Sequence, residues 1–167
     1  MIVLQYVNSH EITPHTLAII PQHNEEGKMI SYVIEEQEEF YVSRPPSKIV
    51  DEACKFFGSS LRGRQEGTRA ISDLTHKAPI SIDPASGMYF FPTSSPISPN
   101  CSWIAHTHIQ KILPAPQAQT KVVFKNGKSI VLDISIGSME NQVNRTAQFR
   151  YLLDNRIKMI SSALQRS

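Results

Sequence analysis

Cysteine is scarce in this chain. Cys54 and Cys101 are the two cysteines among 167 residues, too few for a disulfide scaffold and in keeping with a reducing compartment. No apolar run reaches the roughly 18 residues that a membrane span needs, and no secretory leader is legible, so a cytoplasmic protein without a membrane role is expected. Catalytic and cofactor signatures are missing too. There is no G-x-x-x-x-G-K-[ST], and Gly58, Gly63 and Gly67 do not compose a G-x-G-x-x-G that opens a helix after a strand, which argues against a phosphate-cradling loop. No C-x-x-C is present to complete a zinc set. With no internal repeat, low-complexity tract or linker, residues 1–167 read as a single domain, long enough to bury a core without staples.

What charge there is lies unevenly. The formal net charge is only +2, so nothing global announces a polyanionic partner. Yet Gln22 to Phe40 holds six Glu against one Lys, and Lys55 to Lys77 holds five cations against Glu66 and Asp73. From Lys121 onward eight cations face three acids. An acidic front thus precedes a basic middle and tail.

The local pattern predicts an α+β fold: a β-rich central sheet, one short internal helix and a long C-terminal helix. TLAIIP, MISYVI and EFYV are β-rich runs with Gly27 in the first turn, a meander of strands. Pro45-Pro46-Ser47 stops the sheet, and Ser47 is the expected N-cap of a helix that ends at Gly58. Phe56 and Phe57 then fall on its core side. PISID, MYFFP and SWIAHTHI read as further strands. KVVFKNGKSIVLDI is a hairpin on Asn126-Gly127, expected as a type I′ turn and, being apolar on both faces, in a sheet interior. A helix from Met139 to about Gln165, capped by Ser138, carries the stripe Phe149, Leu152/Leu153, Ile157, Ile160 and Leu164.

Candidate chemistry divides by residue type. Cys101 with His106 and His108 could serve a metal or a nucleophile, since in an extended strand both imidazoles share a face. No orienting group or oxyanion hole accompanies them, and histidines bonded locally explain the pattern as well. The Glu35–Glu39 cluster reads as a solvated, protected edge rather than an acid/base pair. FFGSSLRGRQEGTR is different. From Ser59 to Arg69 it reads as a flexible turn on which Arg62 and Arg64 extend together, with Arg69 and Lys77 within reach. Arg between small residues suits a narrow minor groove, and the hydroxyls of Ser59, Ser60 and Thr68 suit phosphate oxygens. A merely solvated turn is the alternative.

FFGSSLRGRQEGTRAISDLTHKAPISIDP, FFPTSSP, CSWIAHTHI, FKNGKSIVLDIS and SMENQVNRTAQFR occur here in that order. This series resembles the ComK family of competence transcription factors of Firmicute bacteria, over about Leu17 to Arg150. The resemblance implies a DNA-binding activator, not an enzyme, with no cofactor. It would recognise paired A/T-rich boxes through the minor groove, as dimers paired into a tetramer that bend or span the promoter, and would switch on DNA-uptake genes. Arg62, Arg64, Arg69 and Lys77 would contact the DNA, Lys55 and Arg145 would support them at phosphates, and Ser59 and Ser60 would bond the backbone. RNA polymerase and a MecA-type adaptor with its Clp protease are the further partners implied, in a cytoplasmic, nucleoid-associated setting. The adaptor works in the family on a C-terminal tail, and no aromatic-Met-Leu handle follows Gln165 here. The competing reading is a protein–protein interaction module without direct DNA binding.

Overall fold

A computed structural model describes residues 5–7, by backbone only, and 11–166. Residues 1–4, 8–10 and 167, which the single-domain expectation includes, lie outside the described residues. The elements are β1 (Gln5–Val7), β2 (Thr16–His23), β3 (Met29–Glu35), β4 (Glu39–Val42), α1 (Pro46–Phe56), α2 (Leu61–Ser72), β5 (Ile80–Asp83), β6 (Met88–Pro92) and β7 (Trp103–Ala105). A 3₁₀ turn at His106–His108, β8 (Ile109–Ala115), β9 (Gln119–Phe124), β10 (Ser129–Leu132) and α3 (Ile136–Gln165) follow. The expected α+β class is observed, and α2 is an additional internal helix where a turn was expected. Among the described residues no helix is long and apolar enough to cross a membrane.

Seven strands form one sheet in the order β1-β4-β3-β2-β7-β6-β5, and three form a second in the order β10-β9-β8. β1 pairs with β4 in parallel; the other pairings are antiparallel. Successive strand residues point to opposite faces, and here both faces are covered. Ile19, Val33, Phe90 and Trp103 pack with Ile49, Val50, Ala53 and Cys54 of α1. Their sequence neighbours Ala18, Ile34, Phe91 and Ile104 pack with Val122 and Phe124 of the small sheet and Met139 of α3. This two-sided burial is why the central strands are apolar throughout, as strands buried on both faces must be.

The meander β2-β3-β4 forms as expected. Its first turn and the Asn126-Gly127 turn share one construction. Gly27 N–H donates to Asn24 O at 2.9 Å, and Gly127 N–H to Phe124 O at 3.0 Å. Gly127 alone is left-handed, with φ 92°, and Asn126 is not. The hairpin therefore has a three-residue loop closed by Phe124 N–H to Lys128 O at 2.8 Å, rather than a type I′ turn, which needs positive φ twice. Nor does it sit in a sheet interior: β10 is an edge, and its Val131 is exposed. The Glu cluster is likewise not a free edge, because β4 lies between β3 and β1. Glu35 accepts from Thr16 Oγ1 at 2.8 Å, and Glu39 pairs with Lys128 at 3.5 Å, tying the large sheet to the small one.

α1 begins with proline at N1 and has no side-chain cap. Ser47 is used otherwise: its hydroxyl donates to Pro96 O at 2.7 Å and accepts from Trp103 Nε1 at 3.2 Å. At the far end Gly58 N–H donates to Lys55 O and Ser59 N–H to Cys54 O, each at 3.0 Å, with Gly58 at φ 83°. That is the Schellman stop which glycine at C′ allows. The cap of α3 lies three residues before the expected one: Ser135 Oγ accepts from Ser138 N–H at 3.2 Å. At 1.5 Å per residue its 30 residues make a rod of about 45 Å. Met139, Gln142, Thr146 and Phe149 are buried, whereas everything from Arg156 to Arg166 is exposed, so the helix projects from the domain.

Candidate nucleic-acid interface

α2 organises the candidate residues, and its composition is divided: Leu, Arg, Gln, Glu and Ala are good helix formers, but two glycines interrupt them. Gly63 and Gly67 cost about 1 kcal/mol each relative to alanine, and only Thr68 among its residues is buried. Polar anchors hold it. Ser60 is the N-cap, its Oγ accepting from Gly63 N–H at 2.9 Å. A Cβ on residue 63 would stand 2.8 Å from Ser59 Oγ, so any larger residue there would make that hydroxyl turn away. Asp51 of α1 accepts from Leu61 N–H at 2.9 Å, and that bond, with help from Lys55, holds its carboxyl below the usual range despite burial. Thr68 Oγ1 donates to Pro79 O at 2.6 Å. The span from Ser59 to Arg69 is therefore a fixed corner and helix, not a flexible turn.

Along this helix the candidate cations separate into two kinds. Arg62, 89% exposed at its side chain, and Arg69 are both in solvent. Seven residues apart, they stand on one face about 10 Å from each other along the axis. Arg62 pairs with Glu66 at 3.3 Å and Lys55 with Asp51 at 3.1 Å, both one turn apart on their own helices, and exposed pairs of this sort are weak. Arg64 is turned inward: its guanidinium donates to Ile82 O at 3.2 Å and Phe57 O at 3.5 Å. Arg145 is also committed, to the carbonyl oxygens of His76 and Lys77 and to Gln142. The half-buried Lys77 is left-handed at φ 49°, as is Asp73 at φ 61°. Such backbone costs on the order of 1 kcal/mol per residue, and Gln142 Nε2 helps to hold it by donating to Lys77 O at 2.9 Å.

All eight candidates are thus arranged around one helix. Lys55, Ser59, Ser60 and Arg62 are at its N-terminal corner, Arg64 on its inner side, Arg69 near its end, and Lys77 in the loop beyond, which Arg145 of α3 reaches. What sequence reasoning missed is the aromatic pair. Phe56 is 69% and Phe57 37% exposed, whereas both were expected in the core. The helical spacing is right, but Lys55–Gly58 is exposed throughout, so the last turn of α1 carries the apolar face past the protein beneath it. The signal was available in part: the chain reverses at Gly58, where a helix end commonly leaves its sheet.

Cys101 and the histidines do not converge. Cys101 is buried and its Sγ donates to Ser94 O at 3.6 Å. In the 3₁₀ turn the imidazoles diverge instead of sharing a strand face. His106 Nε2 donates to Val143 O at 3.2 Å, while His108 bonds Pro14 O at 2.6 Å and pairs with Glu36 at 3.2 Å. Among the described residues no group of three or more His, Cys, Asp or Glu is placed to hold a metal.

A two-sheet α+β domain with a cation-bearing helix fixed to its flank is therefore the setting, and its relationships are clear. The chain belongs to the ComK protein family, which it matches over residues 7–158. It is similar to the competence transcription factor of Bacillus subtilis (strain 168), with 42% identity over 151 residues, spanning 90% of this chain and 78% of that protein. No solved structure matches it.

Proposed function

We propose that this protein is a transcription activator of competence genes that binds double-stranded DNA, reading paired A/T-rich boxes through the minor groove. The observation that carries the reading is the outer face of α2, where Arg62 and Arg69 stand in solvent on a helix locked to its neighbours. The similarity to a competence transcription factor supports the biological setting. Arg62 and Arg69 enter or border the groove, where A·T-rich sequence deepens the negative potential. Lys55 and Lys77 meet phosphates at either end. Ser60 Oγ, which accepts within the cap, retains its proton for a phosphate oxygen, and Ser59 stands beside it. Arg64 and Arg145 serve the interface by fixing the helix and the following loop.

The protein acts in pairs, since two boxes call for two subunits. RNA polymerase and a MecA-type adaptor with its protease are further partners in this reading. The exposed apolar side chains Ile157, Met159 and Ile160 on the projecting end of α3 favour self-association there, and they are also what an interaction module without DNA binding would use.

Salt dependence separates the two. On an A/T-rich duplex, log K should fall linearly with log salt, and Arg62→Ala with Arg69→Ala should reduce the slope by about one for each phosphate no longer neutralised. A flat response, or a double variant that binds like the parent, would sink the reading.

A further inference from the structure

We propose that the exposed ring of Phe56 is a wedge that inserts between base pairs of the bound duplex and kinks it, an inference that rests on the DNA-binding reading above. Four observations lead there. Phe56 and Phe57 pack edge to face, with ring centroids 5.0 Å apart and planes at 81°, so they form one block rather than two mobile side chains. The block is mounted rigidly. It ends α1 at the Schellman turn of Gly58, and the Phe57 carbonyl oxygen accepts from Arg64. Phe56 points outward, 69% exposed, with Phe57 behind it at 37%. Its sequence neighbours across the corner, Lys55 and Arg62, have side chains 63% and 89% exposed.

An exposed apolar ring with exposed cations close to it in the chain matches a duplex in both respects. The cations meet the two phosphate strands, exchanging their weak partners Asp51 and Glu66 for phosphate, and the ring meets the base stack between them. Minor-groove proteins use apolar wedges in this way, unstacking a base step and bending the duplex toward the major groove. Pyrimidine–purine steps such as TA, common in A/T-rich boxes, unstack most easily. A second copy of the chain is the less suitable occupant. The exposed cations Lys55 and Arg62, near the aromatic pair in the chain, would be brought toward their own kind across a two-fold contact, and the end of α3 offers a separate apolar surface.

The test uses the full chain and an A/T-rich duplex carrying 2-aminopurine at a TA step, with a fluorescent donor and acceptor at its ends. The parent should raise 2-aminopurine emission and bring the ends together. Phe56→Ala should abolish both signals and bind roughly 5- to 100-fold more weakly, the range for removing one aromatic ring that stacks on a base, with the salt slope unchanged. Phe56→Leu should keep part of the kink, because a wedge need only be apolar. The melting temperature of Phe56→Ala should match the parent, as an exposed ring supports little of the fold. Retention of both signals by Phe56→Ala would overturn the wedge while leaving DNA binding intact. Dissociation of a DNA-free oligomer by Phe56→Ala would overturn it as well, by making the pair a subunit contact. A parent that binds no A/T-rich duplex under any salt condition would overturn the DNA-binding reading itself, and the wedge with it.

Discussion

The guanidinium of Arg64 donates to the carbonyl oxygen of Ile82 at 3.2 Å, so one arginine of the R-G-R run joins α2 to β5 while its neighbour two residues earlier stands in solvent. Its Nε is buried and has no partner among the described residues. Helical geometry separates the two: residues two apart point about 200° from each other around the axis.

Arg64→Ala should therefore destabilise the fold by about 1–3 kcal/mol, by removing a charge-assisted hydrogen bond and leaving the Ile82 carbonyl unpaired. Arg64→Lys should recover only part of this, having no planar fork. Arg62→Ala should stay within about 0.5 kcal/mol of the parent. Urea unfolding of the three variants, followed by far-ultraviolet circular dichroism, checks the contrast. Equal losses for Arg62 and Arg64 would contradict it.

His106 is held neutral. Burial, with Arg150 and then Lys125 nearby, keeps its pKa below the usual 6.5, against the opposing bond to Val143 O. The unfolded chain binds a proton near pH 6.5 that the folded chain resists, so this stability is present above about 6.5 and is lost as pH falls below it. His106→Gln should narrow the gap between urea midpoints measured at pH 7.5 and 5.5. An unchanged gap would show that other groups carry the acid sensitivity.

Cys54 and Cys101 are both buried and unpaired. Burial pushes the Cys54 thiol from 9.0 up to about 12, and raises that of Cys101. Only the thiolate reacts, so at pH 8 alkylation of the folded protein should be slower than that of the urea-unfolded chain by about a thousandfold or more. The raised value of Cys54 contributes stability that is complete below about pH 9 and is lost as pH rises toward 12. Rapid native labelling of either thiol would show that the core opens locally.

On α3, residues 159–166 are exposed on every side. Deleting Met159 to Ser167 should leave the unfolding free energy within about 0.5 kcal/mol of the parent and convert the proposed pair to single chains, as measured by light scattering. A truncated chain that keeps the parent's mass would move the subunit contact elsewhere, with the edge strand β10 the next surface to test.

Periodicity and punctuation alone located the strands other than β1 and β8, the stop at Gly58 and the long C-terminal helix, because those signals are local: a side chain's face follows from its spacing, and glycine's φ from having no Cβ. The Ser135 cap was missed because Ser138, three residues on, is an equally good capping residue, and only the backbone path tells them apart. α2 was missed because its glycines read as turn residues among good helix formers, and what fixes it in place lies outside its own segment. It stands on Asp51, Pro79 and Ile82, contributed by α1, by the loop after α2 and by β5. Sequence likewise identified a cluster of cations but could not sort them, since Arg62 and Arg64 are the same residue type in the same run. Tertiary structure decided which guanidinium carbonyl oxygens hold and which solvent keeps. It also decided that Phe56 and Phe57 face outward, because where a helix overruns its sheet is set by the layers beneath it, not by the spacing along it.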